Sequence, residues 1–131
     1  MTYTGDLTSA EAHAMLLEQP HAILIDVRTV AEWTWVGVPD VAGTRFVEWN
    51  TWPGGTRNPE FVTQASDGLD RSDPILCLCR SGGRSAAAAT VLTDAGFTEV
   101  YNIADGFEGN PDHEGHRTGG WRGQGLPWRQ S

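Results

Sequence analysis

Two short apolar runs constrain what this chain can fold into more than any other feature: AILIDV at residues 22–27 and PILCL at residues 74–78. Neither alternates polar with apolar side chains, so each reads as a strand buried on both faces. Strands of that kind belong to parallel sheets, whose neighbours are joined by crossovers and usually by helices. A further strand is read in EVYNI, residues 99–103, and a weaker one in TRFV, residues 44–47.

Helix signals fall between these runs. Thr8 and Glu11 form a capping box, after which Ala12, Met15 and Leu16 share one face. Thr29 and Glu32 form a second box ahead of a short helix through Trp33 to Trp35. Asn58 with Pro59 behind it predicts a helix with Asn58 as N-cap. Ala88, Val91, Leu92 and Ala95 keep helical spacing, and Gly96 ends that helix. Alternating strands and helices predict an α/β domain with a mostly parallel central sheet covered by helices on both faces.

From Gly106 onward the chain turns glycine-rich and loses periodicity. The expected organisation is one domain over residues 1–109 and a tail over residues 110–131 that packs back on it through Trp121 and Trp128. A length of 131 residues suits a single core.

Charge and composition narrow the partners. The formal net charge of -8 argues against nucleic acid. All nine basic residues are arginine, so lysine Schiff-base chemistry and a phosphate-loop lysine are excluded. No apolar run approaches the length of a membrane span, and the first residues lack the pattern of a secretion signal. A cytoplasmic location with no membrane partner is the expectation. Cys77 and Cys79 are too close in sequence for a disulfide framework and are expected as free thiols.

The stretch LCLCRSGGRSAAAATVL, residues 76–92, carries the chemistry. Cys77 lies inside the strand and reads as a small core residue. Cys79 stands just past the strand's carboxyl end, where parallel sheets place their ligand sites. Gly82 and Gly83 permit backbone with φ > 0 and close approach. The loop's N–H groups and the first turn of the helix can form an anion nest, with Ser81 and Ser85 adding hydroxyl donors and Arg80 and Arg84 adding charge. All of these favour a sulfur anion, so the Cys79 pKa is expected below its free value of about 8.5.

CRSGGRS resembles the active-site loop of rhodanese-like sulfurtransferases: cysteine, four residues, arginine, then serine or threonine. LIDVRTVAEW, residues 24–33, resembles the family's second marker, and the ending GLPW is similar to that of some stand-alone single-domain members. The resemblance spans residues 7–107. It implies a sulfurtransferase that moves a sulfane sulfur from thiosulfate or a related donor to cyanide, a thiol or a protein acceptor through a Cys79 persulfide, with no cofactor and no metal. It also implies that Arg80 and Arg84 pair with the sulfonate of thiosulfate. Asp26, Arg28 and Glu32 match the second marker and are expected to be structural, Arg28 pairing with Glu32 and Asp26 anchoring loop backbone. Two segments depart from the family: VGVPDVAG at residues 36–43 has no histidine, and ADGFEG at residues 104–109 lacks the double glycine. Both are expected to border the site.

Three other readings compete. A cysteine phosphatase or arsenate reductase uses five residues between cysteine and arginine, whereas four stand between Cys79 and Arg84. A non-catalytic rhodanese-like binding module typically lacks the cysteine. A metal site at His113 and His116 lacks the helical spacing of a zinc protease, so both read as surface or tail-packing residues. His13 and His21 read as ordinary surface positions. Trp33, Trp35, Trp49 and Trp52 read first as core and surface packing residues, with Trp49 or Trp52 the candidates for a pocket wall.

Overall fold

The two apolar runs are neighbouring parallel strands in the computed structural model, which describes residues 2–130. The outermost residues of the expected domain and tail, Met1 and Ser131, lie outside the described residues. The chain runs β1 (Gly5–Leu7), α1 (Ser9–Glu18), β2 (Ile23–Asp26), α2 (Val30–Trp35), β3 (Val38–Pro39) and β4 (Arg45–Phe46). It continues with α3 (Phe61–Ser66), β5 (Ile75–Leu78), α4 (Gly83–Asp94), β6 (Val100–Ile103), α5 (Gly120–Gly123) and β7 (Trp128–Arg129).

β2 and β5 pair in parallel from Ile23 opposite Ile75 to Asp26 opposite Leu78. The main sheet has the order β1-β6-β5-β2-β4, and every pairing in it is parallel. Because the central strands are covered on both sides, successive residues of one strand feed two cores. Ile75, Cys77 and Cys79 face a cluster with Phe61 and Ala65 of α3 and Ala88, Ala89 and Leu92 of α4. Leu76 and Leu78 face Ala12 of α1, Phe107 and Trp121 of α5. Each fully buried Leu or Ile contributes about 1.5–3 kcal/mol, which is why these runs carry no polar alternation.

Both capping boxes form: Thr8 with Glu11 opens α1, and Thr29 with Glu32 opens α2. The third helix differs from the reading. α3 begins at Phe61 with Glu60 as N-cap, and Asn58 acts two residues earlier. Its Oδ1 accepts the Glu60 N–H at 3.0 Å while its amide holds the Glu48 carbonyl at 3.0 Å. The same side chain that would cap a helix here folds a turn, because its donors have a partner across the chain.

The C-terminal segment returns to the domain. Trp121 is fully buried, its indole N–H donates to the Pro127 carbonyl at 2.7 Å, and the His13 ring meets it edge-on at 5.5 Å. His13 is therefore a packing residue rather than a plain surface position. β7 pairs antiparallel with β3, Val38 opposite Arg129 and Pro39 opposite Trp128. No helix among the described residues is long and apolar enough to cross a membrane.

Candidate active site

An all-parallel sheet sends the carboxyl ends of β2, β5 and β6 to one edge. Three loops meet there: residues 27–29 after β2, residues 79–82 after β5, and residues 104–108 after β6. Local bonds lock the last two together. Phe107 N–H donates to the Cys79 carbonyl at 2.8 Å, and Glu108 N–H donates to the Arg80 carbonyl at 3.0 Å. Gly106 makes this approach possible: it has φ +64°, and a Cβ there would stand 2.7 Å from the Cys79 carbonyl oxygen.

Cys79 is 1% exposed and follows β5 directly. Its Sγ receives the Gly82 N–H at 3.1 Å. The Ser85 hydroxyl lies 3.2 Å from the sulfur and 2.6 Å from Asn102 Oδ1. A hydroxyl has one proton, so Ser85 donates to one of these two at a time. Asn102 is held by its own amide donating to Asp6 Oδ1 at 3.1 Å, which turns Oδ1 toward Ser85. Asn102 was invisible to motif reading, since it lies in β6 and reaches the loop only across the sheet.

Cys77 faces the same core as Cys79, but the bonds from Gly82 and Ser85 go to Cys79. Cys77 is fully buried, and burial first, then the nearby Cys79, pushes its thiol well above the ordinary range.

Of the paired glycines only Gly82 takes positive φ, at +108°, and a Cβ there would collide with the Ala104 carbonyl. Gly83 is the first residue of α4 and has open space at its Cβ position. Gly82 supplies the bend; Gly83 begins the helix whose first-turn N–H groups face the loop. Ser81 is half-buried between Arg80 and Gly82.

The charged residues pair differently from the expectation. Arg28 is fully buried and turns away from Glu32: its Nε and Nη2 hold Asp26 at 2.9 and 2.7 Å. Nη2 also donates to the Gly37 carbonyl at 2.8 Å, and the guanidinium lies 4.3 Å from the Phe107 ring centroid. Asp26 anchors this side chain, along with the Arg28 backbone N–H at 3.2 Å. Glu32 is left to accept both terminal nitrogens of Arg84, at 2.7 and 2.9 Å, while still capping α2. Burial works to raise the Glu32 carboxyl, but the Arg84 hydrogen bonds and charge, helped by the Thr29 N–H and Arg28, bring it below the ordinary value. The Glu32 hydrogen bond in turn raises Arg84 against the opposing effect of burial. Arg80 pairs with Glu108, Nε to Oε2 at 3.0 Å. Both loop arginines thus face carboxylates.

A cleft of about 480 Å³ opens beside the loop, lined by Ala31, Glu32, Trp35, Trp52, Arg80 and Glu108 together with Thr29, Val36 and Arg84. Cys79 does not itself line it; the two arginines of its loop do. Trp52 is on this wall, but Trp49 is not: it packs edge-on against Phe61 at 5.1 Å in the core. Trp35 and Glu108 are wall residues that motif reading did not assign. The two departing segments do border the cleft, through Val36 and Glu108. His113 and His116 are exposed, and the described residues contain no cluster of His, Cys, Asp or Glu placed to hold a metal.

The architecture defines a parallel α/β domain whose cysteine loop closes on the carboxyl edge of the sheet. Residues 4–131 match the STR4 middle domain family. The chain is similar to Rv0390 of M. tuberculosis, whose crystal structure superposes with TM-score 0.90 at 50% identity over 98% of this chain and 99% of that one. It is similar to the polysulfide-sulfur transferase homodimer of Wolinella succinogenes, with TM-score 0.66 and 26% identity over 96% of this chain and 78% of that one. It is also 39% identical over 74 residues to thiosulfate sulfurtransferase 16, chloroplastic, of Arabidopsis thaliana, covering 56% of this chain and 52% of that protein. The chain belongs to the rhodanese-like family.

Proposed function

We propose that the protein is a sulfurtransferase that carries a sulfane sulfur on Cys79. One observation bears most of the weight: the Cys79 sulfur, just past the end of β5, receives the Gly82 N–H at 3.1 Å with the Ser85 hydroxyl at 3.2 Å, at the amino end of a 12-residue helix. Sulfurtransferase names among its relatives support the same reading.

The chemistry divides into two displacements. The Cys79 thiolate attacks the outer sulfur of thiosulfate or a related donor. A new S–S bond forms, the old sulfur–sulfur bond breaks, and sulfite leaves with the bonding electrons. A thiophilic acceptor, cyanide or a thiol, small or on a protein, then attacks the outer sulfur of the persulfide and restores the thiolate. Gly82 and Ser85 offer donors to the Cys79 sulfur, and Arg28 with Asp26 fixes the neighbouring turn. No step calls for a metal or a cofactor.

Intact-mass measurement after thiosulfate treatment tests this. The native chain is expected to gain one sulfur atom that cyanide removes, and Cys79→Ser is expected to gain none. A native chain that takes up no sulfur from thiosulfate or from any other sulfane-sulfur donor would instead favour a binding module without transfer chemistry.

A further inference from the structure

The four charged side chains that line the cleft are two guanidiniums and two carboxylates: Arg80, Arg84, Glu32 and Glu108. Their sum is zero. Arg84 is held end-on by both oxygens of Glu32, and Arg80 is held by Glu108 at 3.0 Å. Apart from Thr29 the rest of the wall is apolar, with Trp35 80% exposed and Trp52 58% exposed. The cleft therefore offers a dianion no uncompensated charge, yet presents two aromatic faces to an organic group.

Glu108 is the chain's own contribution to this balance. It stands in the ADGFEG segment that departs from the family pattern, and only 8% of its side chain is exposed. Its backbone is pinned to the loop by the bond from its N–H to the Arg80 carbonyl. Its second oxygen lies 4.0 Å from Arg122, which itself donates to the Val36 carbonyl at 3.2 Å. Removing the Glu108 charge would leave Arg80 and Arg122 uncompensated at the rim.

Resting on the sulfurtransferase reading, we propose that Glu108 is a specificity-determining residue: by neutralising Arg80 it turns the site from dianionic thiosulfate toward organic hydropersulfides. With such a donor, R–S–SH, the Cys79 thiolate attacks the outer sulfur, the new S–S bond forms, and R–S leaves as a thiolate with the bonding electrons. The proton stays on the transferred sulfur, and charge is conserved at one negative on each side. The leaving group brings a single charge, which the neutral cleft tolerates, and an organic body that the tryptophans can cover.

The test compares rate constants for loading Cys79 from thiosulfate and from 2-hydroxyethyl hydropersulfide, measured by intact mass. Hydropersulfides are intrinsically more reactive, so the readout is the ratio of thiosulfate to hydropersulfide constants and its change on mutation. Glu108→Gln keeps the shape and an acceptor for Arg80 while removing one negative charge. It is expected to raise that ratio about tenfold, with the gain shrinking as salt is added. Arg80→Gln, at a side chain 47% exposed, is expected to lower the ratio by a similar factor. The double variant is expected to return it to within about twofold of the native value, because the cleft is again neutral. A Glu108→Gln ratio that is unchanged or lower, with both donors loading, overturns the assignment to Glu108. If that variant does not fold, an unchanged ratio in Arg80→Gln overturns it. A native chain that loads from neither donor overturns the sulfurtransferase reading instead, and this proposal with it.

Discussion

Arg84 and Glu32 stand 52 positions apart in the chain and meet through two parallel bonds of 2.7 and 2.9 Å. The first turn of α4 is thereby tied to the first turn of α2, and the cysteine loop lies between β5 and that tie.

This pair makes stability depend on pH in a definite direction. The Glu32 carboxyl is lowered in the folded protein, so its contribution is fully present above its unfolded value near about 4.3 and is lost as pH falls through the folded value. Arg84 is raised, so its share is lost only above the ordinary guanidinium range. Glu32→Gln retains the capping box but loses the charge. It is expected to cost about 1–2 kcal/mol at neutral pH and to flatten the acid limb of a denaturation series. An acid limb as steep as that of the native chain would remove Glu32 as its source.

Cys77→Ser places a hydroxyl at a fully buried strand position. The expected loss is about 1–3 kcal/mol in chemical denaturation, because the new group must leave water. Sulfur loading on Cys79 is expected to survive. Loss of loading in a folded Cys77→Ser chain would contradict the separation of the two thiols.

The adjacent glycines give a matched pair of opposite predictions. Gly82→Ala forces a Cβ onto the Ala104 carbonyl at φ +108° and displaces the N–H that meets the Cys79 sulfur. We expect a melting temperature well below native, equivalent to about 1–3 kcal/mol, and strongly reduced loading. Gly83→Ala adds a methyl in open space at a helical position and is expected to raise stability by up to about 1 kcal/mol. Equal melting temperatures for the two variants would mean that the loop is not bent as described.

Trp49 and Trp52 should separate stability from transfer. Trp49 is 8% exposed and buttresses Phe61, so Trp49→Ala is expected to cost about 3–5 kcal/mol. Trp52 is 58% exposed on the cleft, so Trp52→Ala is expected to leave stability within about 0.5 kcal/mol. Its effect is expected in the acceptor half-reaction, read as the rate at which a thiol discharges the preloaded persulfide. Unaltered discharge by several thiols of different size would take Trp52 out of acceptor choice.

Short-range signals were legible in the chain wherever the physics is short-range. The unalternating runs named β2 and β5 because a strand covered on both faces has no solvent side to call for a polar residue at every second position. Thr8 and Thr29 named two helix starts because a capping box closes within four residues. The Cys79 loop was legible because Cys79, Gly82, Arg84 and Ser85 all fall within residues 79–85. Asn58 stands ahead of the helix and not at its cap: its Oδ1 closes a turn on the Glu60 N–H while Glu48 and Gln64, six or more positions away, hold its amide.

The amino-acid order alone determined a parallel α/β domain and put one cysteine where such sheets keep their sites. It could not determine which carboxylate meets which arginine. Arg28 turned to Asp26, freeing Glu32 for Arg84, and Glu108 came to Arg80 from the far side of β5. Those choices depend on strand order and on which loops share the sheet's carboxyl edge. Charge pairing acts through space, so a neutral cleft with tryptophan walls exists only once β2, β5 and β6 lie side by side.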